Sequence, residues 1–151
     1  MPVRIQTEDF DAGVELAKLR AGDPKVGAVV AFIGTVRDVN DGSGVTAMTL
    51  EHYPGMTERS LEAIVVQARE RWDLLDILVI HRVGELAPTD QIVLVAVTSA
   101  HRDEAFSACR FVMDYLKTEA PFWKKESTPA GERWVDARTA DEAAAARWRR
   151  E

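Results

Sequence analysis

The chain has 151 residues, 46% hydrophobic and 29% charged, which is a globular composition at a length suited to one domain spanning 1–151. Its net charge of −6, from 19 Lys+Arg against 25 Asp+Glu, argues against a sequence-independent nucleic-acid binder, whose affinity comes from neutralising phosphates. The single cysteine, Cys109, excludes an internal disulfide and a cysteine-rich zinc site, no apolar run approaches the ~20 residues of a membrane span, and the charged opening MPVRIQTEDF lacks the apolar core of a secretory signal, so a cytoplasmic protein is expected.

Residues 2–7 alternate weakly and predict a first strand. Phe10, Val14, Ala17 and Leu19 recur at helical spacing over 9–20, and the cluster Ala21-Gly22-Asp23-Pro24 ends that helix. The run VGAVVAFIGTV (26–36) is so apolar and β-branched that it predicts a strand buried on both faces. Asp41-Gly42 within 39–44 signals a hairpin turn, and 46–53 a strand closed by Pro54-Gly55. Thr57 is a candidate N-cap for a helix over 58–71 with Leu61, Ile64, Val65 and Ala68 as its inner stripe. Strands follow at 76–83 and 91–100, joined by a turn through Gly84 and Pro88. The strongest helical period covers 102–119, with Ala105, Phe106, Cys109, Val112, Met113 and Leu116 inward and Pro121 as its stop. Strands at 122–128 and 133–137 and an Ala/Arg-rich helix at 140–150 complete the chain. Strands and helices alternate without a strict βαβ rhythm, so the expected class is α+β with a mixed or antiparallel sheet and packed helices.

Ser99-Ala100-His101-Arg102 sits at a strand-to-helix junction. Two cations at a helix N-terminus oppose the dipole, which makes sense if backbone N–H groups, His101 and Arg102 converge on an anion; alternatively, Asp103 and Glu104 simply compensate them. Lys117 and Lys124 straddle the stop at Pro121. Lys124 and Lys125 adjoin Phe122 and Trp123, where partial desolvation would suit an acid, base or amine nucleophile, while two surface lysines lying along apolar neighbours is the plainer reading. Arg37 ends the most apolar strand just before a turn. His52 and His81 read as hydrogen-bonded structural histidines. Histidines at 52, 81 and 101 have no metal-ligand spacing, and no phosphate loop, dinucleotide fingerprint or serine elbow is present, so neither metal nor cofactor is expected.

The blocks FIGTVRD (32–38), LEHYPGMTE (50–58), IHRVGEL (80–86), VTSAHR (97–102), MDYLKTEAPFWKKE (113–126) and ERWVDAR (132–138) together resemble the large, catalytic subunit of molybdopterin synthase. The resemblance covers about residues 30–138. It implies a hammerhead-like α+β fold and a sulfurtransferase that inserts two sulfurs into cyclic pyranopterin monophosphate to make the dithiolene of molybdopterin. The sulfur donor would be the C-terminal Gly-Gly thiocarboxylate of a small ubiquitin-like subunit, and two large subunits would form a homodimer within a heterotetramer. Carried over by position, Lys117 and Lys124 are the implied catalytic lysines. Arg37, His101 and Arg102 form the implied anion-binding cluster, Lys125 and Glu126 line or brace the pocket, and Arg138 matches a further basic position. Pocket residues are implied to come from both protomers. Glu119 departs from the family pattern by placing a carboxylate between the lysines, where it could pair with Lys117 or Lys125. Two other classes compete: a module that binds a phosphorylated small molecule without turnover, and a purely structural dimerisation domain. Sulfur transfer from a thiocarboxylated partner separates both from the enzyme.

Overall fold

The computed structural model describes residues 2–40, 43–44, 46–135 and 139–149. In chain order the elements are Val3–Gln6 (β1), Ala12–Arg20 (α1), Ala28–Thr35 (β2), Val39–Asn40 (β3), Ser43–Gly44 (β4), Ala47–His52 (β5), Met56–Arg71 (α2), Asp76–Arg82 (β6), Gly84–Leu86 (β7), Gln91–Ser99 (β8), Arg102–Glu119 (α3), Phe122–Thr128 (β9), Gly131–Val135 (β10) and Thr139–Ala146 (α4).

The longest apolar runs build a four-stranded mixed sheet in the order β1-β6-β8-β2, with β1 parallel to β6 and the other pairs antiparallel. Alternation along β6 and β8 divides their side chains between two cores. Ile77, Val79, Val93, Val95 and Val97 pack against α2 and α3, where Leu61, Ile64, Phe111 and Val112 meet them. Leu78, Ile80, Leu94 and Ala96 face α1, which covers them with Leu16 and Leu19. Covering both faces is why these strands carry almost no polar residue. The second sheet, ordered β10-β9-β5-β7, is antiparallel throughout and closes a smaller core of Met48, Leu50 and Leu86 with Val36 from the end of β2. The architecture is a single α+β domain with mixed and antiparallel sheets, as expected.

Three expectations are corrected. β2 is not buried on both faces: it is the edge strand of its sheet, and Val29, Phe32 and Ile33 are 36%, 42% and 40% exposed, because α1 does not extend over it. Val14 and Phe106 are exposed; α1 keeps Leu19 of its expected stripe against the sheet and adds Leu16. The N-cap of α2 is Gly55 and not Thr57. Gly55 takes a positive φ of 85° that few other residues tolerate, and its N–H bonds Glu58 Oε1 at 3.2 Å. The hairpin expected over 39–44 forms as β3 and β4, with Asp41 and Gly42 outside the described residues.

α4 is anchored onto α3 by Trp148, which packs edge-on against Trp72 and Phe111 and donates its indole N–H to Asp114 Oδ2 at 2.7 Å. Among the described residues no helix is long and apolar enough to cross a membrane.

Candidate active site

α3 ends at Glu119 because Pro121 cannot continue a helix: its ring would meet the carbonyl of Lys117, four residues back. The chain reverses through Ala120-Pro121, with Phe122 N–H bonded to the Ala120 carbonyl at 2.9 Å, and enters β9 directly. This reversal sets Lys117, in the last turn of α3, and Lys124, the third residue of β9, on its two sides.

The reversal is clamped from two sides. Thr57, fully buried in the first turn of α2, donates its hydroxyl to the Pro121 carbonyl at 2.9 Å and accepts the Tyr53 N–H at 2.9 Å. Phe122 stacks on the imidazole of His81 with ring centroids 3.9 Å apart and planes 16° from parallel. His81, at the end of β6, is only 4% exposed. Its Nδ1 lies 2.8 Å from the Arg82 carbonyl oxygen. A carbonyl only accepts, so Nδ1 carries the hydrogen and Nε2 is left as an acceptor. Burial holds the ring neutral, with its pKa lowered to about 3 against the opposing pull of the Arg82 carbonyl; the charges of Lys117, Lys124 and His52 lower it further. Both lysines therefore lie within electrostatic reach of one buried, neutral histidine.

The pleat of β9 sorts the remaining candidates. Lys124 and Glu126 share the inner face with Leu50 and Met48, their register partners on β5. Glu126 is buried and is gripped by Arg133 directly across the β9–β10 hairpin, whose Nε and Nη2 both lie 3.2 Å from Oε1. Lys125 projects from the opposite face. There it pairs with Glu132 at 3.5 Å and lies 5.6 Å from the ring centre of Trp134. The structure thus places Lys124 and Glu126 on one face of β9, with Lys117 and Lys124 both in reach of His81, and sets Lys125 on the other face. Glu132 is the partner of Lys125 where Glu119 had been considered.

Arg37 follows β2 at the same end of the first sheet as His81, since Thr35 pairs with Gln91 and His81 with Val93. His101 and Arg102 are at the other end, where Gly27 N–H bonds the Ser99 carbonyl at 3.0 Å. Both are exposed, and the His101 N–H bonds Ser99 Oγ at 3.2 Å. The 15 helical steps from Arg102 to Lys117 put about 22 Å between the two corners. Within one chain, His101 and Arg102 do not join the lysines. Arg138 lies outside the described residues. No group of three or more His, Cys, Asp or Glu that could hold a metal occurs among the described residues.

Three residues were not singled out for the site. His81 and Thr57 had structural readings, and Arg133 had none. Only Arg133 left a usable signal: the two-residue loop Pro129-Ala130 sets the hairpin register that places it opposite Glu126.

The lysine pair at the helix-to-strand reversal, with a neutral imidazole in electrostatic reach, makes a cationic site able to stabilise negative charge. Comparison with known proteins gives the family. The family described as MoaE protein matches residues 5–119. The molybdopterin synthase catalytic subunit of Ralstonia nicotianae is 69% identical over 146 residues, covering 97% of this chain and 83% of that protein. A solved structure of the molybdopterin biosynthesis MoaE protein from Burkholderia ambifaria superposes with a TM-score of 0.82 at 60% identity, covering 98% of each chain. The fold is also shared, with a TM-score of 0.75 at 16% identity over 91% of this chain and 92% of that one, by a chain from a complex of subunits 1 and 2 of molybdopterin-converting factor from Helicobacter pylori. The chain belongs to the MoaE family, the catalytic subunits of molybdopterin synthase, and is an enzyme subunit of molybdopterin biosynthesis.

Proposed function

We propose that the chain transfers two sulfurs, one from each of two small ubiquitin-like subunits that bring a C-terminal thiocarboxylate in turn, to cyclic pyranopterin monophosphate, with Lys117 and Lys124 as the catalytic cations. The observation that carries this reading is the approach of both lysines to His81 across the Pro121 reversal. Attack of a thiocarboxylate on a pterin side-chain carbon generates acyl and oxyanionic intermediates. Ammonium groups already fixed in place stabilise that charge without reorganisation and can deliver a proton to the departing oxygen. Lys117 is assigned to the thiocarboxylate and Lys124 to the pterin, with Glu126 and Arg133 bracing the strand that carries Lys124.

Arg37, His101 and Arg102 are assigned to the substrate phosphate, and a homodimer lets them meet. β2 is an apolar edge strand with a free side for a second copy. A two-fold axis near its midpoint sets one protomer's His101–Arg102 corner beside the partner's Arg37 and lysines, because β2 spans about 23 Å between those ends. The small subunit is assigned to the outer face of the second sheet. Trp123 and Trp134 are 47% and 58% exposed there, and Lys125, first expected at the pocket, supplies charge beside them. The Helicobacter pylori complex of subunits 1 and 2 supports a partner of this kind. Two large and two small subunits would make a heterotetramer. We place the reaction in the cytoplasm: the fold makes no use of an oxidising compartment, Cys109 being buried with its thiol pushed up to about 11 by desolvation.

A single-turnover assay with thiocarboxylated small subunit and cyclic pyranopterin monophosphate tests the reading. Wild type is expected to form molybdopterin, and Lys117→Ala and Lys124→Ala to remain folded and form none. Trp123→Ala, run alongside, should need more small subunit for the same rate. Bound pterin without product from the wild type would leave only a binding module.

A further inference from the structure

We propose that His81 is a positioning residue for this site: its unprotonated Nε2, braced by the stack on Phe122, offers its single lone pair to the neighbouring ammonium groups of Lys117 and Lys124 and so favours their charged form. The inference rests on the reading of those lysines as catalytic cations.

Packing alone does not call for an imidazole. A phenyl ring would stack on Phe122 equally well and would bury no polar atom. The Nδ1 hydrogen bond to the Arg82 carbonyl accounts for one nitrogen and fixes the tautomer, which turns the other into an acceptor in a region where the neighbouring charges are cationic. Those neighbours come from three different elements: Lys117 from α3, Lys124 from β9 and His52 from β5. The adjacent guanidinium of Arg82 is turned elsewhere, to the Thr7 and Gln91 carbonyls and towards Asp9. A protonated imidazole here would be a further cation among cations. A neutral one supplies a fixed lone pair, and hydrogen bonding to a charged form favours that form.

Three variants separate this role from filling space. His81→Phe keeps a stacking ring and removes both nitrogens. His81→Asn keeps a donor near the Arg82 carbonyl, where Nδ1 stood. His81→Gln sets an amide oxygen near the place of Nε2. Each would be assayed in the full complex for kcat and KM across pH. Independently of turnover, the pH dependence of acetylation of Lys117 and Lys124 by acetic anhydride would be mapped by peptide mass.

In His81→Phe and His81→Asn, kcat is expected to fall by about tenfold or more, with KM for the pterin little changed. The basic limb of the rate profile and the labelling midpoints of the lysines should move to lower pH, since the ammonium form has lost an acceptor. His81→Gln should move all of them back towards wild type. Wild-type kcat and labelling midpoints in His81→Phe overturn the proposal. So does a His81→Gln variant no closer to wild type than His81→Asn, a comparison that decides the matter even if His81→Phe fails to fold. Shifted midpoints alongside full activity of Lys117→Ala and Lys124→Ala would uphold the hold of His81 on the lysines while removing the sulfur-transfer reading of them.

Discussion

A histidine that stays neutral down to about pH 3 in the folded chain, against an ordinary value of 6.5, couples protonation to folding. Below pH 6.5 the unfolded chain takes up a proton that the native state refuses, so the stability present above that pH is lost as the pH falls. The slope is about 1.4 kcal/mol per pH unit, or about 2 kcal/mol between pH 7 and pH 5. Urea unfolding of wild type and His81→Phe at both pH values is expected to show that much additional acid loss in the wild type alone. Equal losses would mean that the imidazole charges within the fold. At this scale Lys117 and Lys124 could be singled out as candidates from their places on either side of Pro121, and Glu126 only through the family resemblance. The surroundings of His81 were not legible, since its stack on Phe122 joins β6 to β9, strands 40 residues apart in the chain.

Elements were readable where one local cause sets them. α3 and β9 have the bounds expected from periodicity because Pro121 fixes the end of one and the start of the other. β7 was missed, being three residues whose only reason to extend is pairing with β5. β2 was legible as a strand but not in its surroundings: an apolar run announces that something covers it and is silent on whether the cover is its own helix or a second chain. The junction of β2 with the His101–Arg102 corner gives a prediction at this scale. A Cβ on Gly27 would collide with the Ala100 carbonyl oxygen, a backbone atom that must shift to admit it. Gly27→Ala is therefore expected to displace the turn that presents His101 and Arg102. KM for the phosphorylated pterin should rise several-fold while the lysine-dependent step keeps its rate at saturation. Unchanged KM in a folded Gly27→Ala protein would take His101 and Arg102 out of substrate binding.

At the scale of the whole molecule, the separation between the two cationic corners decides how many chains a site needs. If His101 and Arg102 serve the lysines of the partner, each site in the dimer draws on both copies. Arg102→Ala then spoils one component and Lys117→Ala the other, and either homodimer is inactive. In a mixed dimer, one site combines the intact Lys117 of the Arg102→Ala chain with the intact Arg102 of the Lys117→Ala chain. The second site carries both defects. Random re-assortment of equal amounts makes half of the dimers mixed, so about a quarter of wild-type activity should return. Sites built within one chain would recover nothing on mixing, since each chain would still carry its own lesion. Introducing Ile33→Lys on the exposed face of β2 in both chains should abolish the recovery, by placing like charges across the apolar edge through which the copies are proposed to meet.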